Sequence, residues 1–159
     1  VCVLHKIDAV VNTLGSLGIV SGVGDNCFDP NRAITRAEFT AIASRFAKAN
    51  ETGSVRFSDV PVNAWYYNAV LTAVNSGSIT GVGDNRFAPG ERITRAEAAT
   101  IVNRMLARSA DKAYVDATAL RQFPDLSTSH WAYYQIMEAS NAHGHRTNAD
   151  GSESWTNLH

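Results

Sequence analysis

Two five-residue segments, Ile34-Thr-Arg-Ala-Glu38 and Ile93-Thr-Arg-Ala-Glu97, hold the residues best placed to do chemistry. A threonine followed three positions later by glutamate is a capping box. The hydroxyl accepts from a first-turn amide, and the carboxylate accepts from the threonine amide. Folding explains the threonine and the glutamate, and the arginine is left over. Arg36 and Arg95 become first helical residues, at the positive end of the helix dipole, where a cation costs about 0.3–1 kcal/mol. Open first-turn amides beside a guanidinium, which can grip a carboxylate with two parallel hydrogen bonds, make an anion receptor. The competing reading is an ion pair with a nearby acid such as Asp25 or Asp84. Arg45 and Arg104 recur nine positions further on, about half a turn round the helix, and read as exposed or salt-bridged surface.

Trp65 and Trp131 each follow a Phe-x-Asp segment. Tryptophan stacks on a sugar ring while burying the rest of its surface, or anchors a core between units. Asp59 and Asp125 accept sugar hydroxyls or, more simply, cap their own turn. Support for catalysis is thin. His5, His130, His143, His145 and His159 do not recur at matching positions, and no nucleophile motif such as G-x-S-x-G occurs. His143-x-His145 is only a hint of metal binding. Asn148-Ala-Asp150-Gly-Ser-Glu153 loosely resembles a calcium loop but lacks its ligand ladder. No catalytic residue, cofactor or metal is expected.

These residues are positioned by a repeat. Gly22-Val-Gly-Asp-Asn-Cys-Phe28 returns as Gly81-Val-Gly-Asp-Asn-Arg-Phe87 at an offset of 59, and 14 of the 24 positions from Gly22 to Arg45 are identical at that offset. Phe57-Ser-Asp-Val-Pro-Val-Asn-Ala-Trp65 parallels Phe123-Pro-Asp-Leu-Ser-Thr-Ser-His-Trp131 at an offset of 66. Three units follow: residues 1–50, whose opening segment is missing or divergent; 51–109, complete; and 110–159, a linker and a degenerate third unit. Tyr67, Val70, Leu71 and Val74 predict a helix with one buried face, stopped at Gly77. Ile7, Val10, Val11 and Leu14 predict its equivalent, stopped at Gly18. A Gly-Asp-Asn loop and Pro30 or Pro89 connect to the second helix. Its apolar stripe is Phe39, Ile42, Ala43 and Phe46, or Ala98, Ile101, Val102 and Met105. One helix–loop–helix unit has too little core to stand alone, so the units pack together. The tail from His143 to His159 reads as polar and irregular up to Trp155.

Composition narrows the classes. Apolar residues make up 45% and charged residues 18% of the 159 positions, enough for a packed core. The net charge is −1 with no basic run, which argues against a nucleic-acid partner. No apolar stretch approaches the roughly 20 residues that span a bilayer, so no membrane partner is expected. No signal peptide is visible; since the first unit lacks its opening, this says nothing about secretion. Cys2 and Cys27 form no CxxC pair, and two free thiols are the expectation, with a Cys2–Cys27 disulfide the alternative.

The ordered pattern Phe57-Ser-Asp-Val60, Trp65, Ala69-Val70, Gly77-Ser-Ile79, Gly81 to Phe87, Pro89 and Ile93 to Glu97 resembles the S-layer homology (SLH) repeat. The likeness covers nearly all of the first two units, and only about Phe123 to Ala142 of the third. It implies a mainly α fold of three helix–loop–helix repeats about a pseudo-threefold axis, the third degenerate. It also implies an extracellular, non-catalytic anchor at the cell wall or S-layer, holding secondary cell-wall polysaccharide, often pyruvylated, in grooves between repeats. On that resemblance Arg36 and Arg95 bind the acidic sugar, and Gly24, Asp25, Gly83 and Asp84 line the grooves. Trp65 and Asp59, with Trp131 and Asp125, contribute from neighbouring segments. The third unit has no TRAE segment, so one of three grooves is altered or dead. The alternative is a protein-interaction or lattice module, with self-association and no polysaccharide.

Overall fold

The structure, a computed structural model, describes residues 8–25, 27–48, 50–120 and 123–159. Among these are six helices: α1 (Asp8–Ser16), α2 (Arg36–Ser44), α3 (Tyr67–Asn75), α4 (Arg95–Met105), α5 (Lys112–Ala117) and α6 (Tyr133–Ser140). They are followed by an antiparallel pair, β1 (His143–Thr147) and β2 (Glu153–Leu158). None of the helices is long and apolar enough to cross a membrane.

Local chemistry accounts for the helix ends. Both predicted capping boxes form. The Thr35 and Thr94 amides each donate to Oε2 of their glutamate at 2.8 Å, and the Glu38 and Glu97 amides each donate to the threonine Oγ1 at 3.2 Å. Gly18 and Gly77 adopt φ of +69° and +71°, where a side chain would be strained. Beyond them the Ile19 amide reaches Leu14 O and the Ser78 amide reaches Ala73 O, the wide ring of a Schellman stop. Of the predicted stripe in α3, Val70 and Leu71 are buried and Tyr67 and Val74 half-buried.

The core is in two parts. The larger joins α2, α3 and α4 through Ala37, Ala43, Val60, Val70, Phe87 and Ile101. The smaller is Val115, Leu120, Tyr133, Met137 and Trp155, gathered by α5, α6 and the hairpin. Asn103, buried on α4, bridges them by donating to the Gln135 backbone and side-chain oxygens of α6, both at 2.9 Å.

Several expectations are corrected. The tail is not irregular: Thr147 pairs with Glu153 and His143 with Leu158, with a bulge between Gly144 and His145. Asn148 to Ser152 closes the hairpin, and Asp150 Oδ1 accepts from the Ser152 amide and hydroxyl, so the supposed calcium-loop residues make a turn. Trp155 and Glu153 are buried on one face of β2, an alternation hidden by a composition poor in strand formers. Residues 112–117, assigned to a linker, form α5, capped by Asp111, whose second oxygen accepts from the Trp155 amide. α2 stops at Ser44, leaving Phe46 exposed beyond it, and Val10 and Val102 are also exposed. Ile7 lies outside the described residues. Cys27 is disulfide-bonded, which overturns the free-thiol expectation; Cys2 lies outside the described residues.

Candidate functional site

Two grooves of the same construction run beside the TRAE helices. The first, about 650 Å3, is walled by Val20 to Val23, by Glu38, Ile42 and Arg45 along α2, and by Trp65. The second, about 400 Å3, is walled by Ser78 to Val82, by Glu97, Ile101 and Arg104 along α4, and by Trp131. Val20 to Val23 match Ile79 to Val82, and Glu38, Ile42 and Arg45 match Glu97, Ile101 and Arg104, at the offset of 59. Trp65 matches Trp131 at the offset of 66. Each groove is therefore made by one repeat's loop and helix and closed by the next segment's tryptophan.

The loops are held open by their own hydrogen bonds. The Val23 and Val82 amides donate to Cys27 O and Arg86 O, and the Cys27 and Arg86 amides return to Gly24 O and Gly83 O. Gly22 and Gly81 must lack a side chain: a Cβ at Gly22 collides with the Cys27 carbonyl, and at Gly81 it meets Phe57 Cε1 at 2.6 Å and Arg86 O at 2.8 Å. Asp59 braces the second loop, accepting from the Phe87 and Ala88 amides at 2.8 Å each. Burial works to raise the Asp59 carboxyl, but these amides and Arg86 outweigh it and leave it low.

Arg36 is 7% exposed, its Nη1 donates to Glu97 Oε1 at 2.6 Å, and its guanidinium lies 5.6 Å from the centre of the Phe87 ring. Its acid partner is thus Glu97 of the next repeat, neither Asp25 nor Asp84. The expected open amides at the start of α2 are absent. The Arg36 amide donates to Glu91 O, the Ala37 amide to Pro89 O and the Glu38 amide to Thr35 Oγ1. Ile34-Thr35 and Arg92-Ile93 run antiparallel against each other, and this crossing fills the anion position. Arg95 is exposed and makes no ion pair among the described residues.

Glu38 takes a partner from its own repeat. Arg32 Nη2 donates to Glu38 Oε1 at 2.7 Å, and with the Thr35 amide it holds that carboxyl at about 2. Arg32 is replaced by Glu91 at the matching position of the second repeat, which cannot serve Glu97; Arg36 does so instead. Glu97 is also held low, burial being outweighed by Thr94 and Arg36.

Arg36, Trp65 and Trp131 line grooves. Trp65 and Trp131 are 69% and 65% exposed, so neither is a core anchor. Arg95, Gly24, Asp25, Gly83, Asp84, Asp59 and Asp125 line neither groove. The loop residues that do include the pairs immediately before them, Gly22-Val23 and Gly81-Val82, and in the first groove Asp29 and Pro30. Arg45 donates to Ile19 O at 2.5 Å. Arg45 and Arg104, read from the sequence as exposed or salt-bridged surface, are exposed but lie within the grooves. Their recurrence with the TRAE arginines was the available signal.

The S-layer homology domain model matches residues 5–40 and 56–99. The "Surface-layer 125 kDa protein" of Lysinibacillus sphaericus is 37% identical over 92 residues, 58% of this chain and 8% of that protein. The "Amylopullulanase" of Thermoanaerobacterium thermosulfurigenes is 36% identical over 132 residues, covering 82% and 7%. The "Cellulosome-anchoring protein" of Acetivibrio thermocellus is 29% identical over 140 residues, covering 85% and 30%. The chain spans less than a third of the length of each of these relatives.

Proposed function

Because this chain belongs to the S-layer homology family, we propose that it is a non-catalytic, extracellular module that ties a larger protein to the cell wall or S-layer. It does so by binding an acidic secondary cell-wall polysaccharide in the two grooves. Cell-surface anchoring is in keeping with relatives named surface-layer and cellulosome-anchoring proteins. We further assign three units, residues 1–50, 51–109 and 110–159, to a pseudo-threefold arrangement whose third member has lost its TRAE helix.

One observation carries the proposal: two matched grooves each present an exposed tryptophan opposite an exposed arginine, Trp65 with Arg45 and Trp131 with Arg104. An aromatic face takes the apolar face of a sugar ring, and a guanidinium takes a ketal carboxylate in two parallel bonds. The second groove is the stronger for an anion. There Arg36 and Arg104 face Glu97 alone, whereas in the first Arg32 and Arg45 face Glu38 and Asp29. Arg36 forms the floor of the second groove and keeps Glu97 from repelling the ligand, and Arg104 makes the contact. Arg95 is a rim cation outside both grooves.

Co-sedimentation with Gram-positive sacculi tests this. The protein pellets with walls that retain the secondary polymer and stays in the supernatant when the polymer has been stripped. Trp131→Ala and Arg104→Ala each weaken binding about tenfold, as loss of a central contact worth about 1.4 kcal/mol does. Undiminished pelleting with stripped walls transfers the reading to a protein partner.

A further inference from the structure

Outside the grooves, five ionisable side chains converge where the chain leaves α4 and meets α6 and the hairpin. Arg108 follows α4, Glu138 lies on α6, His143 and His145 lie on β1, and Glu153 lies on β2. The side chains of Glu138, His143 and Glu153 are 3%, 2% and 1% exposed. One guanidinium answers two buried carboxylates: Arg108 Nη2 is 2.9 Å from Glu138 Oε1, and its Nε is 2.7 Å from Glu153 Oε1. The remaining oxygens, Oε2 of Glu138 and Oε2 of Glu153, are buried with no hydrogen-bond partner. Two carboxylates against one partly exposed guanidinium leave a buried negative excess, and such an excess is costly unless a cation of higher charge meets it.

We propose that this cluster is a binding site for a divalent transition metal of the zinc class, ligated by His143 Nε2, His145 Nε2 and the Glu153 carboxylate, with water in the fourth position and Glu138 beside the site. One ligand atom from each of His143, His145 and Glu153 falls within 4.8 Å of the others. His143 Nε2 is 3.4 Å from Glu138 Oε2 and 3.9 Å from Glu153 Oε2, and His145 Nε2 is 3.9 Å from Glu153 Oε1. Bonds of about 2.0–2.1 Å in a tetrahedron put ligands about 3.3–3.4 Å apart, so the 3.9 Å pairs close by about half an ångström and the widest pair by at most about 1.4 Å. Two imidazoles with one carboxylate suit zinc and disfavour calcium and magnesium, which prefer oxygen alone.

His143 is already set as a ligand. Its Nδ1–H donates to the Asn141 carbonyl at 2.6 Å, which leaves the lone pair on Nε2. Its ring stacks on Trp155 with centroids 3.6 Å apart and planes 15° from parallel, fixing its orientation. Arg108 Nη2 lies 2.8 Å from that lone pair and occupies the metal's approach. The Arg108 side chain is 29% exposed and, with Asn141 and His159, lines an open cleft over the site, so it can swing outward as the ion enters. Bound metal would then tie β1 to β2 in the part of the chain that has no TRAE helix. The family match ends at residue 99, before any of these ligands.

The test is calorimetric titration of the EDTA-treated 159-residue chain with zinc chloride, with cobalt(II) absorption as a second readout. The expected result is one equivalent of zinc bound with Kd below about 10 µM, and cobalt bands of a four-coordinate site. His145→Ala removes a partly exposed ligand with no hydrogen bond of its own, so the fold survives, and affinity falls at least about tenfold. Glu153→Gln abolishes binding. No saturable zinc binding at about 100 µM, equal affinity in His145→Ala, or calcium bound in preference to zinc would each overturn the assignment.

Discussion

Arg36 and Arg95 occupy the same place in the same five-residue motif and meet opposite fates. Both follow a threonine cap and precede an identical capping box, with equal amide-to-carboxylate distances of 2.8 Å. Yet Arg36 is buried on Glu97 and Phe87, and Arg95 points to solvent. The difference lies across the interface. Arg36 has the next repeat's Pro89, Glu91 and Glu97 against it, whereas the segment after Arg95 supplies no such loop or glutamate. A motif sets its own helix start, and its neighbour decides whether the leftover side chain becomes a clamp or a surface charge.

The largest expected effect tests that contrast directly. Arg36→Met strands Glu97 without its partner and destabilises the chain by about 2–3 kcal/mol, below the roughly 3–5 kcal/mol of a fully buried pair because Glu97 remains partly exposed. Arg95→Met changes stability by less than about 0.5 kcal/mol. Urea unfolding measures both, and equal values would dissolve the comparison. The caps come next: Thr35→Ala and Thr94→Ala each cost about 1 kcal/mol. Because cap geometry is shared, the two losses are equal although the arginines differ, and a severalfold disparity would show that the neighbour also governs the cap.

The smallest effect is the acid response. Glu38 is held at about 2 against an ordinary value of 4.5, first by the Arg32 hydrogen bond and then by the Thr35 amide. Between those values the unfolded chain binds more protons than the folded one. The stabilisation is complete above about pH 4.5 and drains away as pH falls towards 2. Arg32→Glu installs the second repeat's residue, removes that pull and moves the Glu38 titration upward towards its ordinary value, as side-chain carbon NMR would follow. High salt narrows the difference, since the Arg32–Glu38 pair is partly solvated.

Much of the fold was legible in the sequence because its signals were local. Capping boxes, glycine stops and the α3 stripe depend on residues within one or two turns, and the offset repeat exposed both copies at once. The hairpin was not legible. His143 to His159 is rich in residues that disfavour strands, and what holds it is distant: Asp111 on the Trp155 amide, Ser109 on the Glu153 amide and Arg108 on the Glu153 carboxylate. The grooves were half legible. Trp65, Trp131 and Arg36 were found by motif. Arg45 and Arg104 were read as plain surface because a helix surface looks alike from either side until a neighbouring tryptophan closes it.

The sequence by itself determined where helices begin and end, that two repeats share one plan, and that the arginine is surplus to the cap. Those outcomes rest on short-range hydrogen bonds and backbone conformations that each segment satisfies alone. Tertiary structure decided which surplus arginine is buried and which glutamate it serves. It also decided which loop residues face a groove, and that His143, His145, Glu138 and Glu153 from three elements converge beside one guanidinium. Charge and burial at those places are set by what packs opposite, and that partner is dozens of residues away in the chain.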